Sequence, residues 1–208
     1  MNYREFRTAT KNYPFFQSNI FTHITNNAAL LRVQLVDWVK HGYVIKLKKG
    51  FYTLNENDRK AQFSQFFLAN NLYLPSYISL ESALSYYRMI PEKVMATTSI
   101  SSKKTQRFVN SYGNFIYHHI APKLFGDFVT VPDEFGNKFY LATPERALVD
   151  FLYFKGTGEI KEEIFEDSFR LQNTENVNLE RLKNIGKKFN SAKLEHLISL
   201  LIKKIWGQ

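Results

Sequence analysis

The amino-acid sequence predicts an α+β protein in two parts. Before residue 56, three short helical patterns are followed by a β-hairpin, which is the element order of a winged helix-turn-helix. Beyond it, extended segments over about residues 94–141 are followed by helical patterns over residues 144–207. We therefore predict a winged helix-turn-helix domain over residues 1–56. A mixed α/β C-terminal domain with a helical tail is expected over residues 57–208.

The N-terminal part contains the three helical patterns. Apolar and aromatic positions recur at helical spacing over residues 2–11, and Pro14 ends that segment. Ser18 is a preferred cap for a second short helix, and a third helix runs to about His41, where Gly42 ends it. The third helix has its apolar residues on one predicted buried face, at Ala28, Leu31, Leu35, Trp38 and Val39.

The predicted hairpin follows the third helix directly. Residues 43–47 and 51–54 are rich in β-branched and aromatic side chains, and Gly50 supplies the flexible turn position that a tight hairpin needs. Residues 55–58 are polar and mark the expected boundary between the two domains.

The second part begins with helical patterns over residues 59–72 and after Ser79. A helix with proline at its first position begins at Pro144, and a helical tail in three pieces is predicted from Glu159 onward. Between them, turn sequences separate five predicted strands, at residues 94–100, 107–109, 115–120, 125–131 and 138–141.

The composition excludes several classes of protein. The chain has 208 residues and no cysteine, which rules out a disulfide scaffold, a thiolate zinc site and a cysteine nucleophile. No apolar run approaches the roughly 18 residues that a membrane span needs, and the first residues lack a signal-peptide core. We expect a soluble cytoplasmic protein without a membrane partner.

The charge is unevenly distributed. The net charge is +9, and residues 1–70 contain ten basic and four acidic residues, so that +6 of the surplus lies in that third of the chain. This asymmetry is typical of a protein whose first part meets a polyanion such as DNA. The alternative is a basic, solvated surface without a specific partner.

Three motifs carry a resemblance to a known family. Residues 42–52, Gly-Tyr-Val-Ile-Lys-Leu-Lys-Lys-Gly-Phe-Tyr, resemble the wing of the AbiEi family of abortive-infection antitoxins. The segment Tyr77 to Tyr87 with the Ile-Pro-Glu sequence at 90–92 is similar to the segment that follows the wing in that family. Residues 142–150, Ala-Thr-Pro-Glu-Arg-Ala-Leu-Val-Asp, resemble the start of a helix in the same proteins.

The resemblance implies a function in two halves. The N-terminal domain would bind double-stranded DNA and repress the protein's own operon, and the C-terminal domain would act as an antitoxin in phage resistance. The partner gene in this family encodes a nucleotidyltransferase-like toxin. Neutralisation is of type IV, without a stable complex, so direct contact with the toxin stays an open question.

The third helix and the wing supply the candidate DNA-binding residues. An α-helix fits the major groove, where asparagine and glutamine pair with adenine and apolar side chains contact the thymine methyl group. Arginine and lysine at the margins and on the wing would contact phosphates. Capping is an equal alternative for the two asparagines, and a solvated hairpin tip is an alternative for the wing lysines. The candidates are Asn26, Asn27, Leu30, Arg32, Val33, Gln34, Lys40, Lys46, Lys48 and Lys49.

Catalytic signatures are weak, and we expect no enzyme, no metal and no cofactor. Asp133 with the Glu-Ile-Lys sequence at 159–161 imitates a metal-dependent nuclease, but the carboxylate lies in a predicted turn. His118 and His119 would face opposite sides of a strand. The basic residues Lys103, Lys104 and Arg107 form either a second binding patch or a solvated loop.

The sequence also leads to an expectation about assembly on DNA and to an alternative function. A single winged helix makes few base contacts, so two copies on inverted repeats in the promoter are expected, from a protein that is a monomer or a dimer on DNA. The alternative function is a one-component transcriptional regulator whose C-terminal domain binds a small ligand in an apolar pocket.

Overall fold

A computed structural model describes residues 1–25, 27–155 and 171–207. It confirms the α+β class, with a three-stranded and a six-stranded sheet in addition to the helices. No helix in these three ranges is long and apolar enough to cross a membrane.

The N-terminal part packs helices on a small antiparallel sheet. Its strands lie in the order β1-β3-β2, and a short 3-10 helix, Ser18–Ile20, precedes α2. The elements are α1 (Tyr3–Thr10), β1 (Phe16–Gln17), α2 (Phe21–Ile24), α3 (Ala28–Lys40), β2 (Val44–Lys48) and β3 (Phe51–Leu54).

Local sequence signals explain where these elements begin and end. Asn2 and Glu5 form a reciprocal capping box at the start of α1. Gly42, with φ of +75°, terminates α3 as expected, and Gly50, with φ of +74°, makes the hairpin turn. The predicted inner face of α3 is confirmed, because Leu31, Leu35 and Trp38 are buried. The other buried residues of this small core are Phe6, Phe16, Val44 and Leu54.

The second part is built on a mixed sheet of order β6-β7-β5-β4-β9-β8. The pairs β4–β9 and β5–β7 are parallel, and the other three neighbouring pairs are antiparallel. The strands are β4 (Ser76–Ile78), β5 (Thr97–Ser101), β6 (Gln106–Asn110), β7 (Gly113–His119), β8 (Phe128–Pro132) and β9 (Lys138–Ala142). The helices are α4 (Gln65–Leu72), α5 (Leu80–Tyr86), α6 (Pro144–Lys155), α7 (Leu179–Lys187) and α8 (Ala192–Trp206).

Two expectations for this part are corrected. The helix predicted from residue 59 begins only at Gln65, because Arg59 turns inward to donate to Thr53 and Tyr112, and Ser64 caps the helix. The three-residue strand β4 was not predicted, although it lies inside the sheet. The part of the predicted tail at residues 159–170 lies outside the described residues.

The hairpin β2–β3 is packed on both faces. Val44 and Leu54 enter the small N-terminal core, whereas Leu47 and Phe51 belong to the large core of the second part. The side chain of Asn110 in β6 also donates to the carbonyl of Leu47, at 3.1 Å. The hairpin therefore joins the two parts by apolar packing as well as by chain connectivity.

Charged residues of the motif at 142–150 are buried and link elements of the second part. Asp150 is fully buried, accepts hydrogen bonds from Ser79 (2.7 Å) and Tyr77 (3.1 Å), and lies 2.9 Å from Nε of Arg146. Glu145 accepts from the backbone N–H of Asn178, just before α7. The motif thus fixes α6 against β4 and α7.

We expect Asp150→Ala to lower the free energy of unfolding by about 3–5 kcal/mol, because the buried Arg146 guanidinium loses its nearest carboxylate and is left with that of Asp127, 3.7 Å from Nη1. Urea denaturation measures this loss. Glu134→Ala, at an exposed acidic residue of the β8–β9 turn, is the control and should change stability by less than about 0.5 kcal/mol. A loss below about 1 kcal/mol for Asp150→Ala would show that the ion pair does not hold α6 in place.

Candidate nucleic-acid interface

The outer face of α3 is the most exposed apolar surface of the N-terminal part. Leu30, Val33 and Val36 are 48%, 69% and 71% exposed, whereas Leu31 and Leu35 on the opposite face are almost completely buried. The helix therefore sits on the small core by one face and presents the other to its surroundings. Two of the predicted base-contacting residues, Leu30 and Val33, lie on the presented face.

A groove of about 400 Å³ separates α3 from the hairpin. Arg32 borders it on the helix side, and Lys46 and Lys49 border it on the hairpin side. Among the described residues, its lining contains these three basic residues and no acidic one, and all three basic residues are exposed. The sequence predicted these cations individually, and the structure brings them together around one concave surface.

Asn27 caps α3. Its Oδ1 accepts the backbone N–H of Leu30 at 3.0 Å, which is the hydrogen bond expected of an N-cap residue. The capping alternative is therefore confirmed for Asn27, which is an exposed residue. Asn26, the other predicted base reader at this end, lies outside the described residues.

Gln34 and Lys40 differ in their availability. Lys40 is exposed in the last turn of α3, next to the acidic Asp37, whose carboxylate lies 3.3 Å from Nδ1 of His41. The amide oxygen of Gln34 is buried and has no hydrogen-bond partner among the described residues. Pairing of Gln34 with adenine therefore requires its side chain to rotate outward.

Lys48 departs from the predicted arrangement. A bulge between Lys46 and Lys48 in the β2–β3 pairing turns its ammonium away from the groove. The ammonium donates to the carbonyl of Leu72 and lies over the rings of Phe51 and Phe108. Burial, and secondarily the charge of Lys103, lowers the pKa of Lys48. Its placement is that of a structural contact between the two parts, unlike that of Lys46 and Lys49.

Lys103 and Arg107, two of the basic residues considered as a second patch, have different surroundings. Lys103 lies over the ring of Tyr73, and its charge helps to lower the pKa of Lys48 in the hairpin. Arg107 is exposed on the opposite side of β6 from Phe108, which packs near Lys48. Lys103 therefore lies near the hairpin, whereas Arg107 points to the other side of β6.

The residues considered for catalysis have structural partners. Burial raises the pKa of Asp133, but hydrogen bonds from the side-chain amide of Asn137 and from the backbone N–H groups of Ser64, Asn137 and Phe135 outweigh it, so the pKa is lowered. His118 packs on Phe154, and burial lowers its pKa. Within the described ranges, no three His, Asp or Glu side chains are placed to hold a metal ion. Residues 159–161 of the nuclease-like pattern lie outside those ranges.

A second concave surface was not predicted from the sequence. A cleft of about 590 Å³ lies between the N-terminal helices and α4, with Phe15, Phe16 and Phe51 among its apolar lining. Polar side chains such as Tyr13 and Asn71 also line it. Residues from the first 24 positions meet Phe51, Asn71 and Leu74 there, and no local pattern could indicate this long-range contact.

Comparison with known proteins adds no identification. The chain matches no family model, and no curated protein sequence matches it.

We expect Asn27→Ala to destabilise the protein by about 1 kcal/mol, because the N–H of Leu30 loses its cap. Asn27→Asp keeps an acceptor at the same position and should retain most of the stability. Thermal unfolding of both variants measures the difference. Equal stability of Asn27→Ala and the wild type would contradict a capping role.

Proposed function

We propose that the protein is a DNA-binding repressor of its own operon and the antitoxin of a type IV toxin-antitoxin system, with an N-terminal winged helix-turn-helix. The observation that carries the DNA-binding half is the groove between α3 and the hairpin, bordered by Arg32, Lys46 and Lys49. The antitoxin half rests on the resemblance of the three motifs to the AbiEi family. This function needs no catalytic group, cofactor or metal.

The proposed docking places α3 in the major groove. The helix stands on a rigid core through its inner face, and its outer face is free to approach base edges. Arg32 and the two hairpin lysines would then contact the phosphates that border the groove. The three basic side chains are long and exposed, so they can reach DNA phosphates. Such contacts fix the position of the protein along the duplex without distinguishing one base sequence from another.

The second part is proposed to carry the antitoxin activity toward a nucleotidyltransferase-like toxin. The large core and the buried charges hold the second part in one conformation, so that its surface has a defined shape. The hairpin packs on this core and thereby fixes the second part relative to the groove. Two copies on an inverted repeat would supply the base contacts that one α3 lacks. Coexpression with the adjacent gene tests the antitoxin activity. Expression of the adjacent gene alone should stop cell growth, and growth should resume when this protein is also produced.

DNA binding is tested by fluorescence anisotropy with a duplex from upstream of the gene and a scrambled duplex. We expect tighter binding to the upstream duplex and a strong decrease in affinity as salt increases. Equal and weak binding to both duplexes would contradict the repressor function.

The logarithm of the DNA-binding constant falls linearly with the logarithm of the salt concentration. In the double variant Lys46→Ala with Lys49→Ala, this slope should be less steep by about 1.8, because each lost phosphate contact reduces it by about 0.9. Lys48→Ala is the matched control, since the Lys48 ammonium is turned into the contact between the two parts. We expect its slope to equal that of the wild type. A reversed result, with only Lys48→Ala changing the slope, would place DNA on a different surface.

A second candidate function is favoured by the 590 Å³ cleft, which is large enough for a small apolar ligand. In this case the protein would be a one-component regulator, although the cleft lies beside the N-terminal helices and not within the six-stranded sheet. The dye 1-anilinonaphthalene-8-sulfonate serves as a probe of the cleft. For a ligand-responsive regulator, the dye should release upstream DNA from the wild type. It should have no effect on Ala9→Trp, which fills the cleft.

A further inference from the structure

The outer face of α3 has an unusual chemistry for a helix that would read DNA by hydrogen bonds. Four of the five exposed positions from Ala29 to Val36 are apolar, namely Ala29, Leu30, Val33 and Val36, whereas the fifth, Arg32, borders the groove. We call these four residues the apolar ridge. Asp37 and Lys40 follow on the outer face only in the last turn. In the first two turns and at the N-cap, the exposed described side chains that can hydrogen-bond to a base are Asn27 and Arg32, and both lie at the margin of the ridge.

The surroundings of the ridge indicate what covers it. Val33 and Val36 are 69% and 71% exposed, so the ridge leaves a substantial apolar surface in water. Arg32 lies beside the ridge, and Lys46 and Lys49 lie across the groove from it. An apolar strip bordered by cations complements a polyanion that has apolar groups between its phosphates. In the major groove of DNA, the apolar group is the C5-methyl of thymine.

We propose that the apolar ridge reads thymine methyl groups, so that each operator half-site presents a thymine-rich segment to α3. This inference rests on the proposed DNA-binding function and names the bases it recognises. The six-residue step from Leu30 to Val36 spans about 9 Å along the helix axis. Base pairs follow one another every 3.4 Å or so. The ridge is therefore long enough to contact methyl groups on about three successive base pairs.

The discriminating experiment replaces thymine by deoxyuridine in the upstream duplex. This change removes only the C5-methyl group and leaves every hydrogen-bonding group of the base pair in place. We expect binding to weaken about fourfold for each methyl group that contacts the ridge, and at least about tenfold for a fully substituted half-site. Fluorescence anisotropy at constant salt measures the ratio of the two affinities.

A matched pair of variants assigns the effect to the ridge. Val33→Ala removes apolar contact from the ridge, so the ratio of thymine to deoxyuridine affinity should shrink toward one. Val129→Ala changes a 42% exposed valine on β8, in the other part of the protein, and should leave the ratio at its wild-type value. Stability of both variants is measured by thermal unfolding, since both positions are exposed and little change is expected.

Each outcome has a defined meaning. A deoxyuridine penalty that Val33→Ala reduces supports thymine readout. Equal affinity for the two duplexes, with selectivity over the scrambled duplex retained, overturns the thymine readout and leaves the repressor function intact. If the wild type shows no selectivity at all, the repressor function fails, and the inference fails with it. A DNA-independent dimer that Val33→Asp dissociates in sedimentation would show that a second copy covers the ridge, and would also overturn the proposal.

Discussion

The two-sided packing of the β2–β3 hairpin is the constraint on which the arrangement of this protein depends. Alternate residues of the hairpin enter different cores, with Val44 and Leu54 on one face and Leu47 and Phe51 on the other. A hairpin with both faces buried cannot swing independently of either part. The groove beside α3 therefore has a fixed position relative to the six-stranded sheet.

This constraint also separates the functions of neighbouring lysines. Three lysines occur within four residues of the hairpin, yet only Lys46 and Lys49 border the groove. Lys48 follows the bulge and is drawn into the contact between the two parts, where its ammonium meets a carbonyl and two aromatic rings. Lysines that are neighbours in sequence therefore have different surroundings, since two border the groove and one joins the two parts. In the proposed function, the apolar ridge would contact bases, and the two exposed lysines would contact phosphates.

The sequence was informative wherever a local signal decides the structure. The inner face of α3 follows from helical periodicity, and the end of that helix follows from a glycine that adopts positive φ. Long-range contacts were not predictable in the same way. Strand β4 has three residues, which is too short for a periodic pattern. The start of α4 depends on the hydrogen bonds that the Arg59 guanidinium donates to Thr53 and Tyr112, which its local sequence does not indicate. The burial of Asp150 likewise depends on Arg146 and on two hydroxyl groups from distant segments.

We propose that α3 and the hairpin tip together form the DNA-binding surface. Backbone amide chemical shifts, recorded as the upstream duplex is added to isotope-labelled protein, report on this surface residue by residue. We expect the largest shifts at residues 27–40 and 44–50, with smaller changes in β8 and β9. Shifts concentrated around the cleft or on the six-stranded sheet, with α3 unaffected, would contradict it.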